Sequence, residues 1–271
     1  MPELPEVETI RRDLKKMVVG EILEKIEVFE PRLLQNCTKE ELQASLQNTP
    51  LKAMERRGKF LIFNFGQQSA VVHLRMSGWF SDEPGKHTRM IMHFKGKKLY
   101  FDDTRRFGTL HFLPSSDRES YDPLKKLGLE PLGESFDKKS FQSVLNSSRE
   151  IKKVLLDQTK VTGIGNIYAC EALYQSRIHP LKPADEISSA KVGKLHQAIQ
   201  QILQRAIDNH GSTLGDSVGD YRTLDGAQGN FQDHFQVYGR HGDGCFHCGK
   251  TIERITQAGR STFFCPSCQR K

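Results

Sequence analysis

Four cysteines close to the C-terminal end of the chain have a spacing that suits one particular chemistry. Two C-x2-C pairs, Cys245/Cys248 and Cys265/Cys268, flank a segment that is predicted to form a β-hairpin. Each pair can place two thiolates on one turn, and two such pairs complete a tetrahedral zinc site without an open position for water or substrate. The alternative is a disulfide-linked or incidental cysteine-rich tail. The sequence therefore predicts one structural Zn²⁺ ion at these four thiolates.

Pro2 is the second candidate for chemistry. Removal of Met1 would leave it with a free secondary amine, and a pKa of about 8 keeps part of such an amine neutral at neutral pH. Attack of the amine on an aldehyde-type carbon gives an iminium that cannot shed an N–H proton, which makes it an electron sink for elimination. Glu3 and Glu6 are close enough in sequence to donate protons or to orient the amine. The alternative is an N-terminal proline without a catalytic role.

Three other positions are candidates for a site: the head of Lys59 could reach a cleft, and Asn166 and Arg260 could contact phosphate groups. Lys59 follows the basic turn 56–58 and begins a hydrophobic strand, and the alternative is a solvated lysine on an edge strand. Asn166 follows two glycines and precedes a helix that it could cap, while the helix N-terminus accepts a phosphate. Arg260 is beside Gly259 at the predicted hairpin tip, which suits either a phosphate contact or a solvated arginine.

Two segments combine apolar side chains with cations. His73 and Met76 belong to the first, and Arg105 and Phe107 belong to the second. An apolar wedge beside an arginine is what a protein needs to enter a base stack and hold an orphaned base. By periodicity alone, Met76 and Phe107 are predicted as core residues.

The order of the elements predicts an α+β multidomain protein. The spacing of Val7, Ile10 and Leu14 indicates a helix that ends at Gly20, and the many strands after it favour an antiparallel sandwich or barrel. The predicted strands are 22–28, 52–65, 70–80, 88–94, 99–101 and 108–113. The predicted later helices are 141–145, 151–158, 166–176 and 190–209.

Composition narrows the class of partner. The net charge of +7 suggests a polyanion. A run of about 18 apolar residues, which a membrane span needs, is absent, and the acidic N-terminus lacks the apolar core of a signal peptide. We therefore expect a cytoplasmic protein that has no membrane partner and acts as a monomer.

Taken together, the motifs closely resemble those of the bacterial formamidopyrimidine-DNA glycosylases along the whole chain. In chain order they are Pro-Glu-Leu-Pro-Glu-Val-Glu-Thr at 2–9, Arg-Gly-Lys at 57–59, His-Leu-x-Met-Ser-Gly at 73–78, Arg-Arg-Phe-Gly at 105–108, Gly-Asn-Ile-Tyr at 165–168 and the terminal four-cysteine ribbon. The resemblance implies an N-terminal β-sandwich with a flanking helix over 1–130, a helical helix-two-turn-helix domain with a lesion-capping loop over 131–230, and a zinc finger over 231–271.

The same resemblance implies a bifunctional base-excision repair enzyme. It would bind duplex DNA that contains an oxidised purine or an abasic site, remove 8-oxoguanine and formamidopyrimidines, and cleave the strand by β,δ-elimination. Pro2 would attack C1′ of the damaged nucleoside, Glu3 would assist opening of the sugar ring, and Glu6 would support the site around the flipped nucleotide. Lys59 belongs to this catalytic set and would also grip a phosphate.

The resemblance implies DNA contacts as well. The phosphate contacts would be Lys59, His73, Asn166 and Arg260. The gap left by the flipped base would be filled by Met76, Arg105 and Phe107, with Arg105 facing the opposite cytosine. A loop within residues 211–229 would fold over the extruded base. Some relatives have an acid at the position of Ser77, so the resemblance implies no DNA contact for Ser77.

Two other functions stay open at the level of sequence. The related endonuclease VIII type prefers oxidised pyrimidines, but it usually begins Pro-Glu-Gly-Pro-Glu and lacks the Met-Arg-Phe set. Leu4, Met76 and Phe107 therefore argue against it. A non-catalytic zinc-ribbon DNA-binding protein fits the composition and the ribbon, but it leaves the N-terminal octet unexplained.

Overall fold

The computed structural model describes residues 1–215 and 221–271. Contacts divide the chain into two compact units, residues 1–125 with 209–232 and residues 126–208 with 233–271. These units do not coincide with the predicted boundaries at residues 130 and 230, because the segment 209–232 packs with the N-terminal elements. The three-domain division stays a prediction.

The first unit contains most of the strands. Its helices are α1 (Leu4–Val18), α2 (Lys39–Leu46) and α3 (Asp122–Lys125). Its strands are β1 (Ile22–Val28), β2 (Thr49–Pro50), β3 (Ala53–Arg57), β4 (Phe60–Asn64), β5 (Gln68–His73), β6 (Gly78–Ser81), β7 (Thr88–Phe94), β8 (Lys97–Asp103) and β9 (Thr109–Pro114).

Two antiparallel sheets share one apolar core in this unit, which confirms the predicted β-sandwich. The strand orders are β2-β1-β7-β8-β6 and β3-β4-β5-β9. Phe63 of one sheet lies 5.5 Å, between ring centroids, from Phe80 of the other, and Phe80 lies 5.1 Å from Phe101. The contact between Phe63 and Phe80 joins the two sheets, and the contact between Phe80 and Phe101 lies within one of them.

Helix α1 flanks the sandwich and forms for the reason that its sequence indicates. Val7, Ile10 and Leu14 recur at helical spacing, and each is fully buried in the core. The helix begins at Leu4, three residues before the first apolar position used to predict it, and its buried face packs on β3 and β4. The core contacts therefore fix the N-terminal residues against the second sheet.

Two predicted strands are each split by a turn. The run 52–65 is the hairpin β3–β4, in which Arg57 pairs with Phe60 across the two-residue turn 58–59. Gly58 has φ +56°, which suits the first position of a type II′ turn. The run 70–80 is likewise divided into β5 and β6 by the turn 74–77. The apolar residues on either side of each turn made both runs resemble single strands.

The second unit carries the later helices and the C-terminal hairpin. Its elements are α4 (Lys138–Val144), α5 (Ile151–Leu156), α6 (Asn166–Gln175), α7 (Ser189–Asp208), β10 (Glu253–Gln257) and β11 (Arg260–Phe264). Helix α6 is buried along most of its length because it packs against α5, α7 and β11. Over the described part of the chain, no helix combines the length and the apolar character needed to cross a membrane.

A buried carboxylate on α6 holds the segment that leads to the cysteine-rich hairpin. Glu171 is 3 % exposed, and its two oxygens accept hydrogen bonds from the backbone N–H groups of Gln236, Val237 and Tyr238 at 2.8–3.0 Å. Buried N–H groups in irregular chain need such acceptors. The carboxylate therefore anchors residues 236–238 to the helix.

Replacing this carboxylate tests its anchoring role. Glu171→Gln keeps one acceptor oxygen but points an amide N–H₂ at a backbone donor, so we expect a loss of about 1–3 kcal/mol in the free energy of unfolding. Urea denaturation would measure it. The exposed Glu186→Gln is the control, with an expected change within about 0.5 kcal/mol. Equal stability of the two variants would contradict the role given to Glu171.

Candidate active site and zinc centre

The first turn of α1 brings together the acidic residues of the N-terminal motif. Glu6 Oε2 accepts a hydrogen bond from the backbone N–H of Glu3 at 2.8 Å, and Glu6 Oε1 accepts from the N–H of Ser212 at 2.9 Å. Pro2, Glu3 and Glu6 are all buried. Glu6 therefore ties the start of the helix to the base of the 211–229 loop within the same unit.

The loop base can approach Glu6 closely because Gly211 has no side chain. Gly211 has φ +76°, and a Cβ atom there would lie 2.9 Å from both Cγ and Oε1 of Glu6. Thr213 closes the stem, since its hydroxyl donates to the carbonyl of Tyr221 at 2.8 Å and accepts from the N–H of Gly229 at 2.9 Å. Residues 216–220 of the predicted capping loop lie outside the described residues.

A second carboxylate joins α1 to the hairpin that carries Lys59. Glu8 Oε2 lies 3.0 Å from Arg56 Nε, and Arg56 Nη1 donates to the carbonyl of Gly58 at 2.9 Å. Burial opposes ionisation of Glu8, but hydrogen bonds and charge from Arg11 and Arg56 outweigh it and lower the pKa of Glu8 to about 2. The ionised carboxylate therefore holds the turn 58–59 beside the helix.

Lys59 and His73 lie at the same end of neighbouring strands. Lys59 is 6 % exposed, and the next residue, Phe60, pairs with His73 and meets its ring edge-on at a centroid distance of 4.7 Å. The alternative of a solvated edge-strand lysine is wrong, because β4 lies between β3 and β5 and Lys59 is buried.

His73 is a neutral hydrogen-bond donor. Its Nδ1 accepts from the backbone N–H of Arg75 at 2.9 Å, so the ring proton of the neutral form is on Nε2. Burial, with smaller effects of the charges on Arg75 and Lys59, lowers the pKa of His73 to about 3. An Nε2–H group can donate to a phosphate oxygen over the whole neutral pH range.

The apolar residues of the two motif turns are exposed. Met76 is 42 % exposed and Phe107 is 52 % exposed, so the alternative that they are core residues, which periodicity alone favoured, is wrong. The guanidinium carbon of Arg105 lies 5.1 Å from the centre of the Phe107 ring. Large exposed apolar side chains beside a cation are typical of a binding surface.

In the second unit, Asn166 is held by a buried lysine. Lys152 is fully buried, and its Nζ donates to Asn166 Oδ1 at 2.6 Å and to Thr262 Oγ1 at 2.6 Å. Asn166 Nδ2 donates to the carbonyl of Ser261 at 2.9 Å. Asn166 is the first residue of α6 and Gly165 is the N-cap, so the predicted capping role of Asn166 is wrong.

Arg260 lies beside this cluster, one residue before Ser261. It is exposed and begins β11, where it pairs with Gln257. The hairpin tip is Ala258-Gly259, both with positive φ, so Arg260 follows the tip and does not form it. The second unit therefore presents Arg260 and Asn166 close together.

The four C-terminal cysteines form a metal site. Their sulfur atoms all lie within 4.8 Å of one another, with 3.9 Å between Cys245 and Cys268 and 3.5 Å between Cys248 and Cys265. Zn–S bonds of about 2.3 Å in a tetrahedron require sulfur atoms about 3.8 Å apart, so the cluster fits zinc. Four protein thiolates complete the coordination, which makes this zinc structural.

Sequence reasoning missed several residues that organise these groups. Glu8, Arg56, Lys152 and Asp103 had no role assigned to them, although each is largely buried and makes several polar contacts. For Glu8, Arg56 and Lys152 the available signal was a charged residue inside a predicted helix or strand, whereas Asp103 lies between two predicted strands. The partner in each case could not be read from the sequence, because the partner lies on another element.

Comparisons with known proteins agree with this arrangement. Residues 1–110 match the formamidopyrimidine-DNA glycosylase N-terminal domain, 127–218 match its H2TH domain, and 242–270 match the zinc finger found in FPG and IleRS. The chain is 40 % identical to a formamidopyrimidine-DNA glycosylase of Lactiplantibacillus plantarum, with 100 % of both sequences covered. It is 42 % identical to one of Thermus thermophilus, with 99 % of this chain and 98 % of that protein covered.

Solved structures give the same result. The crystal structure of the Fpg protein from Thermus thermophilus matches with a TM-score of 0.90 and 41 % identity, covering 99 % of this chain and 98 % of that one. A complex between the Lactococcus lactis Fpg and DNA containing an abasic site matches with a TM-score of 0.91 and 39 % identity, covering 99 % and 100 %.

A β-sandwich with a helical unit and a four-cysteine zinc finger is thus the architecture of a class of DNA repair glycosylases. The chain belongs to the formamidopyrimidine-DNA glycosylase family. It is an enzyme of base-excision repair, a DNA glycosylase and abasic-site lyase with one structural zinc.

The pKa of His73 predicts an acid-dependent loss of stability. In the unfolded chain His73 takes up a proton below about pH 6.5, whereas in the fold it does so only near pH 3. Stability should therefore fall as the pH drops through this window, by at most about 1.4 kcal/mol per pH unit.

Urea unfolding at pH 7 and pH 5 would measure this effect, and His73→Gln, which cannot titrate, should show a smaller drop. An NMR titration should find the ring of His73 neutral at both pH values. A ring that becomes protonated between pH 7 and pH 5 would contradict the assignment.

Removal of zinc should unfold the C-terminal hairpin. A chelator takes away the four bonds that close residues 245–268, so we expect backbone amides of β10 and β11 to lose hydrogen-exchange protection. Protection in β4 and β5 of the first unit should persist, which provides the internal control. Full protection of the hairpin in the metal-free protein would contradict a structural role for zinc.

Proposed function

We propose that the protein excises oxidised purines, 8-oxoguanine and formamidopyrimidines, from duplex DNA and then cleaves the strand at the abasic site. Solved relatives are complexes with DNA that contains an abasic site or a Fapy-dG lesion. Both ligands are consistent with a glycosylase that also acts on the product of its first step. Oxidised purine and abasic-site duplexes are therefore the substrates proposed for this chain.

The observation that carries the proposal is the environment of Pro2. This residue is buried immediately before α1, next to Glu3 and Glu6, and Glu6 is fixed by two backbone N–H groups. A proline nitrogen held in one place can meet a sugar carbon in a defined direction. After removal of Met1, that nitrogen is a secondary amine with a usable lone pair.

The proposed reaction begins when the Pro2 amine attacks C1′ and the bond from C1′ to the base breaks. The base leaves with the bonding electron pair and takes up the proton that the Pro2 nitrogen gives up. Glu3 then protonates the ring oxygen O4′, the sugar opens, and a positively charged C1′=N iminium remains. Loss of a C2′ proton lets the electrons expel the 3′ phosphate, and a second elimination expels the 5′ phosphate. Hydrolysis of the remaining iminium frees Pro2.

The other assigned residues grip the DNA. Lys59 and the neutral His73 occupy one end of adjacent strands, which suits contacts with neighbouring phosphates. In the second unit, Asn166 and Arg260 flank Ser261, and both are proposed as further phosphate contacts.

Met76, Arg105 and Phe107 are proposed to fill the gap left by the extruded base, with Arg105 facing the opposite cytosine. Their exposure supports this role, since entering a base stack would bury the two apolar side chains. The loop whose stem is closed by Thr213 is proposed to cover the extruded base.

Borohydride trapping tests the mechanism on a duplex that pairs 8-oxoguanine with cytosine. Reduction of the iminium should link the protein to DNA, and mass spectrometry of the digested complex should find the link on the peptide that begins with Pro2. Pro2→Gly should trap about tenfold less or worse, because a primary amine gives an imine that can lose its proton and charge. Pro5→Gly controls for the loss of a proline near the helix start and should still trap.

Two outcomes would contradict the proposal. A link on Lys59 or another lysine would exclude Pro2 as the nucleophile, and no trapping by protein shown to lack Met1 would exclude the lyase mechanism. A thymine-glycol duplex run in parallel addresses the lesion class. Faster excision of thymine glycol than of 8-oxoguanine would assign the chain to oxidised pyrimidines.

A further inference from the structure

One buried carboxylate connects the two turns that carry the gap-filling side chains. Asp103 is the last residue of β8 and is 1 % exposed. Its Oδ1 accepts hydrogen bonds from the hydroxyl of Ser77 at 2.5 Å and from the backbone N–H of Arg105 at 3.1 Å. Its Oδ2 accepts from the N–H of Gly108 at 2.7 Å. Both oxygens are thus used by the turns.

The Ser77 hydroxyl links its own turn both to Asp103 and to the turn that carries Arg105. It donates to Asp103 and accepts from the N–H of Arg105 at 3.0 Å. Ser77 directly follows Met76, and Arg105 is two residues before Phe107. The four hydrogen bonds among Ser77, Asp103, Arg105 and Gly108 therefore set the distance between the backbone segments from which both apolar side chains project.

The bases of the turns have no room to shift. A Cβ atom on Gly78 would lie 2.9 Å from Cζ of the Phe101 ring, and a Cβ atom on Gly108 would lie 2.7 Å from the same atom. Both turns therefore end at glycines packed against one buried ring. The carboxylate and the ring together define the position of each turn on the sandwich.

We propose that Asp103, with Ser77, is a positioning residue that holds Met76, Arg105 and Phe107 as one preformed wedge. The proposal rests on the gap-filling role given to these three side chains above. Without the carboxylate, the N–H of Gly108 loses its acceptor and the N–H of Arg105 keeps only the Ser77 hydroxyl, so the turn 104–108 is held less firmly. The entropy cost of ordering this turn would then oppose the entry of the wedge into the duplex.

The contacts of Asp103 predict a specific kinetic defect. Asp103→Asn should slow excision of 8-oxoguanine opposite cytosine by about 10- to 100-fold, because a displaced wedge cannot hold the extruded state. Cleavage of a duplex that already contains an abasic site should slow less, since no base has to be extruded. The loss should appear in the single-turnover rate at saturating enzyme, while binding to undamaged DNA stays unchanged.

A spectroscopic signal reports the wedge directly. 2-Aminopurine placed next to the lesion brightens when it unstacks, so the wild-type protein should give a fluorescence rise before excision. Asp103→Asn should give a slower or smaller rise. A merely structural defect that lowered the amount of folded enzyme would reduce the amplitude of every step equally and would leave the rate of the rise unchanged.

The chain offers a matched control one residue away. Asp102 is 2 % exposed on the same strand, but its Oδ1 accepts from the hydroxyl of Thr88 at 3.1 Å and its hydrogen bonds do not involve the two turns. Asp102→Asn should leave both the excision rate and the fluorescence rise within about twofold of the wild type.

A double-mutant cycle asks whether Asp103 acts through the wedge. In a Phe107→Ala background the wedge is already defective, so Asp103→Asn should add little further loss. If Asp103→Asn does not fold, Ser77→Ala supplies the test, because it keeps the carboxylate and its two backbone partners. We expect Ser77→Ala to lower the excision rate to a lesser extent and Ser77→Thr to restore it.

Several results would overturn the inference. The first is a wild-type excision rate in folded Asp103→Asn, or in folded Ser77→Ala if Asp103→Asn does not fold. The second is an equal loss of excision rate in Asp102→Asn. The third is a loss from Asp103→Asn that adds fully to the loss from Phe107→Ala. Failure of the proposed function has a different signature, because the wild type itself would neither trap nor excise an oxidised purine. If the wild type is trapped and Asp103→Asn excises at the wild-type rate, the inference about Asp103 is rejected and the proposed function stands.

Discussion

The relation between helix α1 and the β3–β4 hairpin depends on the buried carboxylate of Glu8. Moving a charge out of water is costly unless it is paired and hydrogen-bonded, and Arg11 and Arg56 meet this requirement at 2.8–3.0 Å. Arg56 also holds the carbonyl of Gly58, so one charge fixes both the helix and the turn that leads to Lys59. The residues assigned to the amine chemistry and to the first phosphate contact are consequently attached to the same pair of connected elements.

The same solution recurs wherever irregular chain must be held in place. Glu6 binds the base of the 211–229 loop, Asp103 binds the turn 104–108, and Glu171 binds residues 236–238. Backbone N–H groups outside helices and sheets need acceptors when they are buried, and a carboxylate offers two strong ones. In the second unit Lys152 does the converse, donating to acceptors on α6 and β11. Buried charge in this protein thus positions segments that carry function.

A structural element could be predicted from the sequence when its signal depends on residues that are close together in the chain. Strands β1 and β7 have the predicted bounds, and α1 was found from its apolar spacing, because each depends on residues adjacent in sequence. The sequence indicated a basic turn before Lys59, but it did not show that this turn divides the run 52–65 into two strands. Helix α2, only eight residues long, was missed although Thr38 and Glu41 form a capping box at its start. The sequence predicts Asn166 as a helix N-cap, because it cannot show that the side chain of Asn166 accepts a hydrogen bond from Lys152.

By itself the sequence determined the zinc ligands, the helix that follows Pro2 and the polar or apolar character of each motif turn. These depend on residue type and on spacings of a few positions. Only the tertiary structure decided which charges meet. Ser77 and Asp103 are 26 residues apart, Glu8 and Arg56 are 48 apart, and Lys152 and Thr262 are 110 apart. A hydrogen bond requires its two atoms to lie within about 3 Å, and such proximity between distant positions arises only when the sheets and helices pack.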